Sequence, residues 1–539
     1  MTPDVDPPLY HTETRDSESQ QTSAQASEEL HQQCVDLLGE IDAFQSLLNS
    51  TLRNPQLVEL RQFRSNVNSE FKMLQRLETQ MQASDATDGN EQDYDAEMRF
   101  LHALRSSNLP FYQAVWNIAR GSCGGLLAMG KRFYWDRKAW PLEEKKAQKG
   151  DGSWEKTKQP NKDKRKSVFV DIVADDGESW VKVSTVSESR LLFDMAKKGW
   201  ERDSDSDAFS DEDGERSPKR TVLRNFDGED SGEDSDDDEL ELIKLARDLR
   251  KAADATRVRY RHPRLRIVLP KIEEGNVPEI DDVLKEMRSY GIKVECQDSM
   301  SANASQAKLA CLLPQPFKNF TSAVNIDCTL LLAIVSDLSH IKDIAISPSF
   351  HRAIVRQIEV EKEQPLLPTE LWPAMGAHEL LCTKEAAKRM REIVETIGTA
   401  TEKERMDLLL GTAPNDQLDR ESLIRKFQGV SDWQVPVDWV LPIRIVDAQP
   451  AIEAAKAEGK LPPVADEVAQ VLSDINHSVF MYGWATGLTT ISSNRTIDKQ
   501  IEVTIENSRR TDEDDAVEGP PVWICDTARS LAGKDKGRK

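Results

Sequence analysis

The chain has 539 residues, a net charge of −23, 38% hydrophobic residues and 31% charged residues. That length predicts two to four domains, and the negative field argues against strong non-specific binding to DNA or RNA, which needs Lys and Arg against phosphate. Seven widely spaced cysteines, none in a C-x-x-C pair, argue against a disulfide framework or a zinc ribbon and place the chain among reduced proteins of the cytoplasm or nucleus.

Residues 1–26 are rich in Ser, Thr, Gln and Asp, carry no signal-peptide pattern, and read as a disordered tail. No apolar run is long enough to cross a membrane. Residues 27–200 form a helical and β-hairpin part. Leu30, Leu37, Leu38, Ile41, Phe44, Leu47 and Leu48 make one apolar helical stripe, and Leu57, Leu60, Phe63, Val67, Phe71, Leu74 and Leu77 make a second after Pro55. Few heptads are sustained, so an intramolecular helical hairpin is favoured over a coiled-coil partner site. The glycines at 121, 124, 125 and 130 lack the Lys-Ser/Thr ending of a phosphate-binding loop. The nine Lys/Arg of residues 143–166 read as a solvated loop before a nuclear-targeting or phosphate-binding segment.

Val168, Val170 and Ile172 predict a strand, Asp176-Gly177 a tight turn, and Trp180–Val183 the return strand. Residues 201–240 hold 17 Asp/Glu against 5 Lys/Arg and lack apolar periodicity, which predicts a disordered acidic insert. Residues 241–300 contain a β-α-β unit: a strand at Leu265–Leu269, a helix from Pro278 ended by Gly291, and a strand at Ile292–Cys296. The next part, 311–530, begins with a buried strand at Val324–Asp327 and an apolar helix from Cys328. Helices at 349–362, 384–397 and 401–410 follow, then a strand near 438–446 and a helix near 463–473. Val479-Phe480 reads as another strand, and Pro521–Cys525 as a last short one. Residues 531–539 are a basic tail.

Three stretches resemble the domain of unknown function 1308 family. They are Val170–Ala174 with Gly177 and Trp180–Lys182; Val324–Leu331; and Gly376–Cys382 followed by Glu404-Arg405. The closing Val522–Leu531 is similar to the family's final strand. The resemblance covers most of residues 27–535 outside the acidic insert. It implies an α/β protein with an N-terminal helical hairpin and α/β module and a C-terminal PIN-like parallel-sheet domain. PIN nucleases hold Mg²⁺ or Mn²⁺ on several carboxylates, and the metal activates water against a phosphodiester.

On that resemblance, Asp327 stands where the first metal-binding carboxylate belongs, Thr329 where a supporting hydroxyl lies, and Glu379 is the second carboxylate candidate. Trp484, in Met481–Thr486, stands where a later acid is expected, and an indole cannot hold Mg²⁺. It either fills the pocket or stacks on a base. The bland alternative for Asp327 is a helix N-cap. Asp171 and Lys182 echo a D…x-x-K nuclease pattern, but Trp180 replaces its acid and reads as hairpin core. The expectation is therefore a non-catalytic binding or assembly protein with a protein or RNA partner and no cofactor. The alternative is a Mg²⁺/Mn²⁺-dependent endoribonuclease.

Overall fold

The computed structural model describes residues 22–52, 54–85, 92–135, 166–199, 239–297, 309–346 and 350–533. The N-terminal tail before Thr22, nearly all of the basic run and of the acidic insert, and the basic tail from residue 534 lie outside the described residues.

Four helices open the fold: α1 (Ser23–Thr51), α2 (Arg61–Asp85), α3 (Gln92–Arg105) and α4 (Leu109–Ser122). Thr22 starts α1 with a capping box in which Gln25 answers the Thr22 amide. The apolar stripe of α1 (Leu37, Ile41, Phe44 and Leu48) is buried, and α2 runs antiparallel beside it, with Arg64 paired to Asp42 at 2.6 Å. Trp116 of α4 lies against Phe44 and Phe63, so the predicted hairpin closes on its own chain.

A mixed five-stranded sheet follows, in the order β1 (Ala128–Tyr134), β2 (Ser167–Ala174), β3 (Ser179–Val183), β4 (Arg264–Leu269) and β5 (Ile292–Cys296). β1, β2 and β3 are an antiparallel meander, with Met129 opposite Ile172 and Ile172 opposite Val181. β3, β4 and β5 are parallel, because helices carry the chain back: α5 (Glu188–Lys197) and α6 (Glu241–Asp254) before β4, and α7 (Pro278–Ser289) before β5. Helices α1, α2 and α4 cover one face; α5, α6 and α7 cover the other. Trp180 is buried against Phe133, ring centroids 3.7 Å apart, as hairpin core. Strand β1 and helix α6 are additions to the elements read from sequence.

The second sheet is all-parallel. Its elements run β6 (Ala323–Ile326), α8 (Cys328–Val335), α9 (Asp337–His340), α10 (Arg352–Glu363), α11 (Trp372–Met375), β7 (Glu379–Thr383), α12 (Lys384–Ile397), α13 (Ala400–Leu410), α14 (Arg420–Gln428) and β8 (Arg444–Val446). They continue as α15 (Ala448–Ala457), α16 (Val464–Val471), α17 (Asp474–Asn476), α18 (Tyr482–Thr486), β9 (Thr489–Ser492), α19 (Arg495–Ser508) and β10 (Val522–Ile524). Strand order is β10-β9-β6-β7-β8, so the first strand is central. Among the described residues, no helix is long and apolar enough to cross a membrane.

One expected strand is corrected. Val479-Phe480 belongs to a π-helical turn, His477–Met481, that runs into α18. The strand comes ten residues later, at Thr489–Ser492. Gly483 explains the packing: a Cβ there would fall 2.1 Å from Thr490 Oγ1, so only glycine lets α18 lie this close to β9.

A buried polar network ties the ends of this region together. Asp337 accepts hydrogen bonds from Arg405, Thr401 and Thr399, each at 2.6 Å. Glu402 accepts the amides of Asp337, Thr399 and Ala532. Arg529 pairs with Glu361, and both are buried. Residues 525–533 thus form a strap across the helices.

Candidate functional site

The chain leaves β6 for β7 and β8 on one side and returns for β9 and β10 on the other. Between β6 and β9 the winding reverses, and open α/β sheets place their ligand crevice at the carboxyl ends of the strands at such a switch point. Asp327 follows β6 and Ser492 closes β9, so both stand there. The Asp327 amide donates to the Ile491 carbonyl at 3.0 Å, which locks the two strand ends.

The Asp327 side chain is 1% exposed. Its Oδ2 accepts from Thr329 Oγ1 and Ser492 Oγ, both at 2.7 Å. Thr329 Oγ1 in turn accepts the Ser493 amide at 3.3 Å, and Ser492 Oγ accepts the Asn494 amide at 3.0 Å. Burial pushes the Asp327 carboxyl above the usual range; the two hydroxyls, and the nearby Cys328 and Thr329 amides, pull it part of the way back. Those amides lend electrostatic support without the geometry of a cap: Asp327 occupies the N-cap position of α8, yet its side chain makes no capping hydrogen bond. The carboxylate instead binds the neighbouring strand end.

Thr329 is therefore brought to Asp327 as expected. Glu379 is not. It is the first residue of β7, in register with Ala323, and so stands at the amino edge of the sheet, roughly 13 Å along the strand from Asp327. It is exposed and paired with Arg444 at 2.8 Å. Trp484 is not at the carboxyl edge either. It lies in α18, ahead of β9, partly exposed and packed against the core of the parallel sheet. The residues at the carboxyl end of β9, next to β6, are Ser492, Ser493 and Asn494. They were missed because the strand itself was misplaced.

Glu385, two residues past β7, lies in the first turn of α12 and is partly buried; two further acids follow the outer strands. Asp447 follows β8, caps α15 and pairs with Lys384 at 2.6 Å. Asp526 follows β10 and pairs with Arg495. Each is two strands from β6, a spacing of roughly 9–10 Å. Among the described residues, no three His, Cys, Asp or Glu side chains gather as metal ligands. Mg²⁺ and Mn²⁺ require several oxygen ligands around an open position. A single sealed carboxylate flanked by two hydroxyl donors does not fit either ion.

In the mixed sheet, Asp171 and Lys182 meet across the hairpin, with Nζ 3.1 Å from Oδ2. Asp171 is buried and also accepts the Val183 amide at 2.7 Å. Burial raises its carboxyl, and Lys182 and the Val183 amide oppose that rise. Lys182 also lies 5.4 Å from the Phe169 ring centroid. With Trp180 beside them instead of an acid, the pair is a structural one.

Residues 324–433 match a family model described as "Protein of unknown function (DUF1308)". The matched span opens on β6, contains Asp327 and Thr329, and takes in Asp337, Glu402 and Arg405 of the buried network. Neither the curated proteins nor the solved structures yield a match to this chain.

Proposed function

We propose that the parallel-sheet region is a PIN-like scaffold that binds or assembles and does not cleave. The observation that carries this reading is the surroundings of Asp327: hydroxyls from Thr329 and Ser492 close on it where a nuclease needs further carboxylates. The all-parallel sheet, and an aspartate ending its first strand, support the PIN-like part of the reading. The occupant this favours is a protein partner, because the net charge of −23 opposes a phosphate backbone.

The test is RNA cleavage in Mg²⁺ and in Mn²⁺, comparing the full chain with Asp327→Asn. The expected result is no metal-dependent cleavage above background for either chain. Cleavage by the full chain that Asp327→Asn abolishes would establish the endoribonuclease alternative instead. An RNA titration at physiological salt distinguishes the two partner classes, and tight saturable binding there would replace the protein partner with RNA.

A further inference from the structure

Four strands stand at the edges of the two sheets: β1 and β5 in the mixed sheet, β8 and β10 in the parallel one. An edge strand offers unpaired N–H and C=O groups to other chains, and charged side chains are a common guard against such pairing. Three of the four carry that guard. β1 has Lys131 and Arg132, β5 has Lys293 and Glu295, and β8 has Arg444. β10 is Val522-Trp523-Ile524, without a charge, and all three residues are partly exposed.

Two bonds fix the direction of its backbone. The Thr490 amide donates to the Pro521 carbonyl, and the Cys525 amide donates to the Ser492 carbonyl, each at 2.8 Å. Pro521 and Cys525 therefore turn toward β9, and Trp523 does so too, because direction alternates along a strand. Val522 and Ile524 turn outward. Their N–H and C=O groups have no hydrogen-bond partner among the described residues. Pro520, which has no N–H, ends the pairing segment on its amino side.

An aromatic trio lies beside this unguarded edge. The Trp523 ring centroid is 5.4 Å from that of Phe317 and 5.9 Å from that of Phe320, and the two phenylalanines are 5.4 Å apart, all edge to face. Both phenylalanines are partly exposed. Residues directly opposite each other on paired strands point to the same face. A residue set opposite Trp523 by an added strand therefore brings its side chain to the indole.

We propose that β10 is a docking edge, where an extended apolar segment of a different protein adds as a further strand and seats its middle side chain on Trp523 beside Phe317 and Phe320. The outward N–H and C=O groups of Val522 and Ile524 supply affinity, and the aromatic trio selects an aliphatic residue. A second copy of this chain fits the edge less well. Three residues a side bury far less than the roughly 1,200–2,000 Å² of a stable interface, and two chains of charge −23 repel each other. The same charge favours Lys or Arg on either side of the apolar residue. Asp498 and Glu502 add to it locally, because they lie near Tyr260, whose ring covers Gly519 just ahead of β10. The edge is separate from Asp327, so the inference stands whether or not RNA is cleaved there.

The experiment is fluorescence anisotropy of the full chain with a short labelled peptide that alternates Leu and Thr between terminal lysines. The same peptide N-methylated along its backbone keeps the side chains and loses the donors. Saturable binding of the first is expected, with a loss of roughly tenfold or more for the second. Ile524→Pro should weaken binding of the first peptide by a similar factor and leave the melting temperature near that of the parent, because the lost N–H points away from the sheet. Ile524→Lys keeps the main chain, adds the guard of the other edges, and should weaken binding as well. Asp327→Asn should bind as the parent does. Absence of saturable binding, equal binding of the N-methylated peptide, or full affinity in both Ile524 variants overturns the proposal. Self-association of the parent that Ile524→Lys abolishes hands the edge to a second copy and overturns it too.

Discussion

Asp171 in the mixed sheet and Asp327 in the parallel sheet are both aspartates sealed inside an α/β layer, but their surroundings answer the charge in different ways. An ammonium meets Asp171, together with one backbone amide. Two hydroxyls meet Asp327, and no cation joins them in its hydrogen-bond shell. A cation compensates charge outright; a hydroxyl supports it only through its hydrogen bond. Asp171 is therefore held by an ammonium and a backbone amide, whereas Asp327 is a strand-end latch held by two hydroxyls.

Breaking the ion pair is the largest perturbation. Lys182→Met leaves Asp171 buried without its countercharge and is expected to lower unfolding free energy by about 3–5 kcal/mol, read by urea titration. Adding Asp171→Asn removes the stranded charge and keeps an acceptor for the Val183 amide, so the double variant recovers most of that loss. If the two changes add instead, the pair is not coupled.

The hydroxyl-bound aspartate is expected to be the milder site. Asp327→Asn replaces one oxygen with an amide facing two hydroxyl donors, and a loss of about 1–3 kcal/mol is expected in the same titration. A loss as large as that of Lys182→Met would mean that Asp327 answers to an uncompensated charge after all.

Acid separates the two variants by sign. Burial raises the folded-state carboxyl of Asp327 above its unfolded value, so the ionised side chain carries a penalty at neutral pH. That penalty is relieved as pH falls through the folded value toward the unfolded one. Asp327→Asn has no such proton to gain. Its deficit relative to the parent should therefore widen as pH falls, whereas the deficit of Lys182→Met should narrow as the stranded Asp171 takes up a proton. Parallel curves for both variants would contradict the comparison.

The smallest effect belongs to Glu379. As an exposed, ion-paired residue at the opposite edge, Glu379→Gln should change stability by no more than about 1 kcal/mol and leave the pH curve of Asp327 unmoved. A shift in that curve would return Glu379 to the site.

Much of this architecture was legible where local pattern and burial agree. The helical stripe of Leu37, Ile41, Phe44 and Leu48, the hairpin around Asp176-Gly177, and the unit from Leu265 to Cys296 all carry their period in the residues. The strand at Thr489–Ser492 did not, because Ile491 is its only large apolar residue. Val479-Phe480-Met481 looked more strand-like, but a short apolar run does not distinguish strand from buried helix. What decides it is Gly483, whose missing side chain admits Thr490, and that contact is tertiary. The same slip placed Trp484 at the wrong edge and hid Ser492. Asp327 was legible as the residue at the end of the first parallel strand, whereas nothing in the local pattern singles out Asp337 or Glu402, whose burial is tertiary.

The strap at 525–533 bears on the order in which the chain is built. Glu402 and Glu361 stay without their last donors until Ala532 and Arg529 have been made, and β9 lacks its outer neighbour until β10 arrives. The central strand is thus synthesised about 200 residues before the segment that seals its surroundings, a separation that slows the closing of non-local contacts. On the ribosome, the parallel-sheet half would wait, incomplete, through nearly the whole of its own translation.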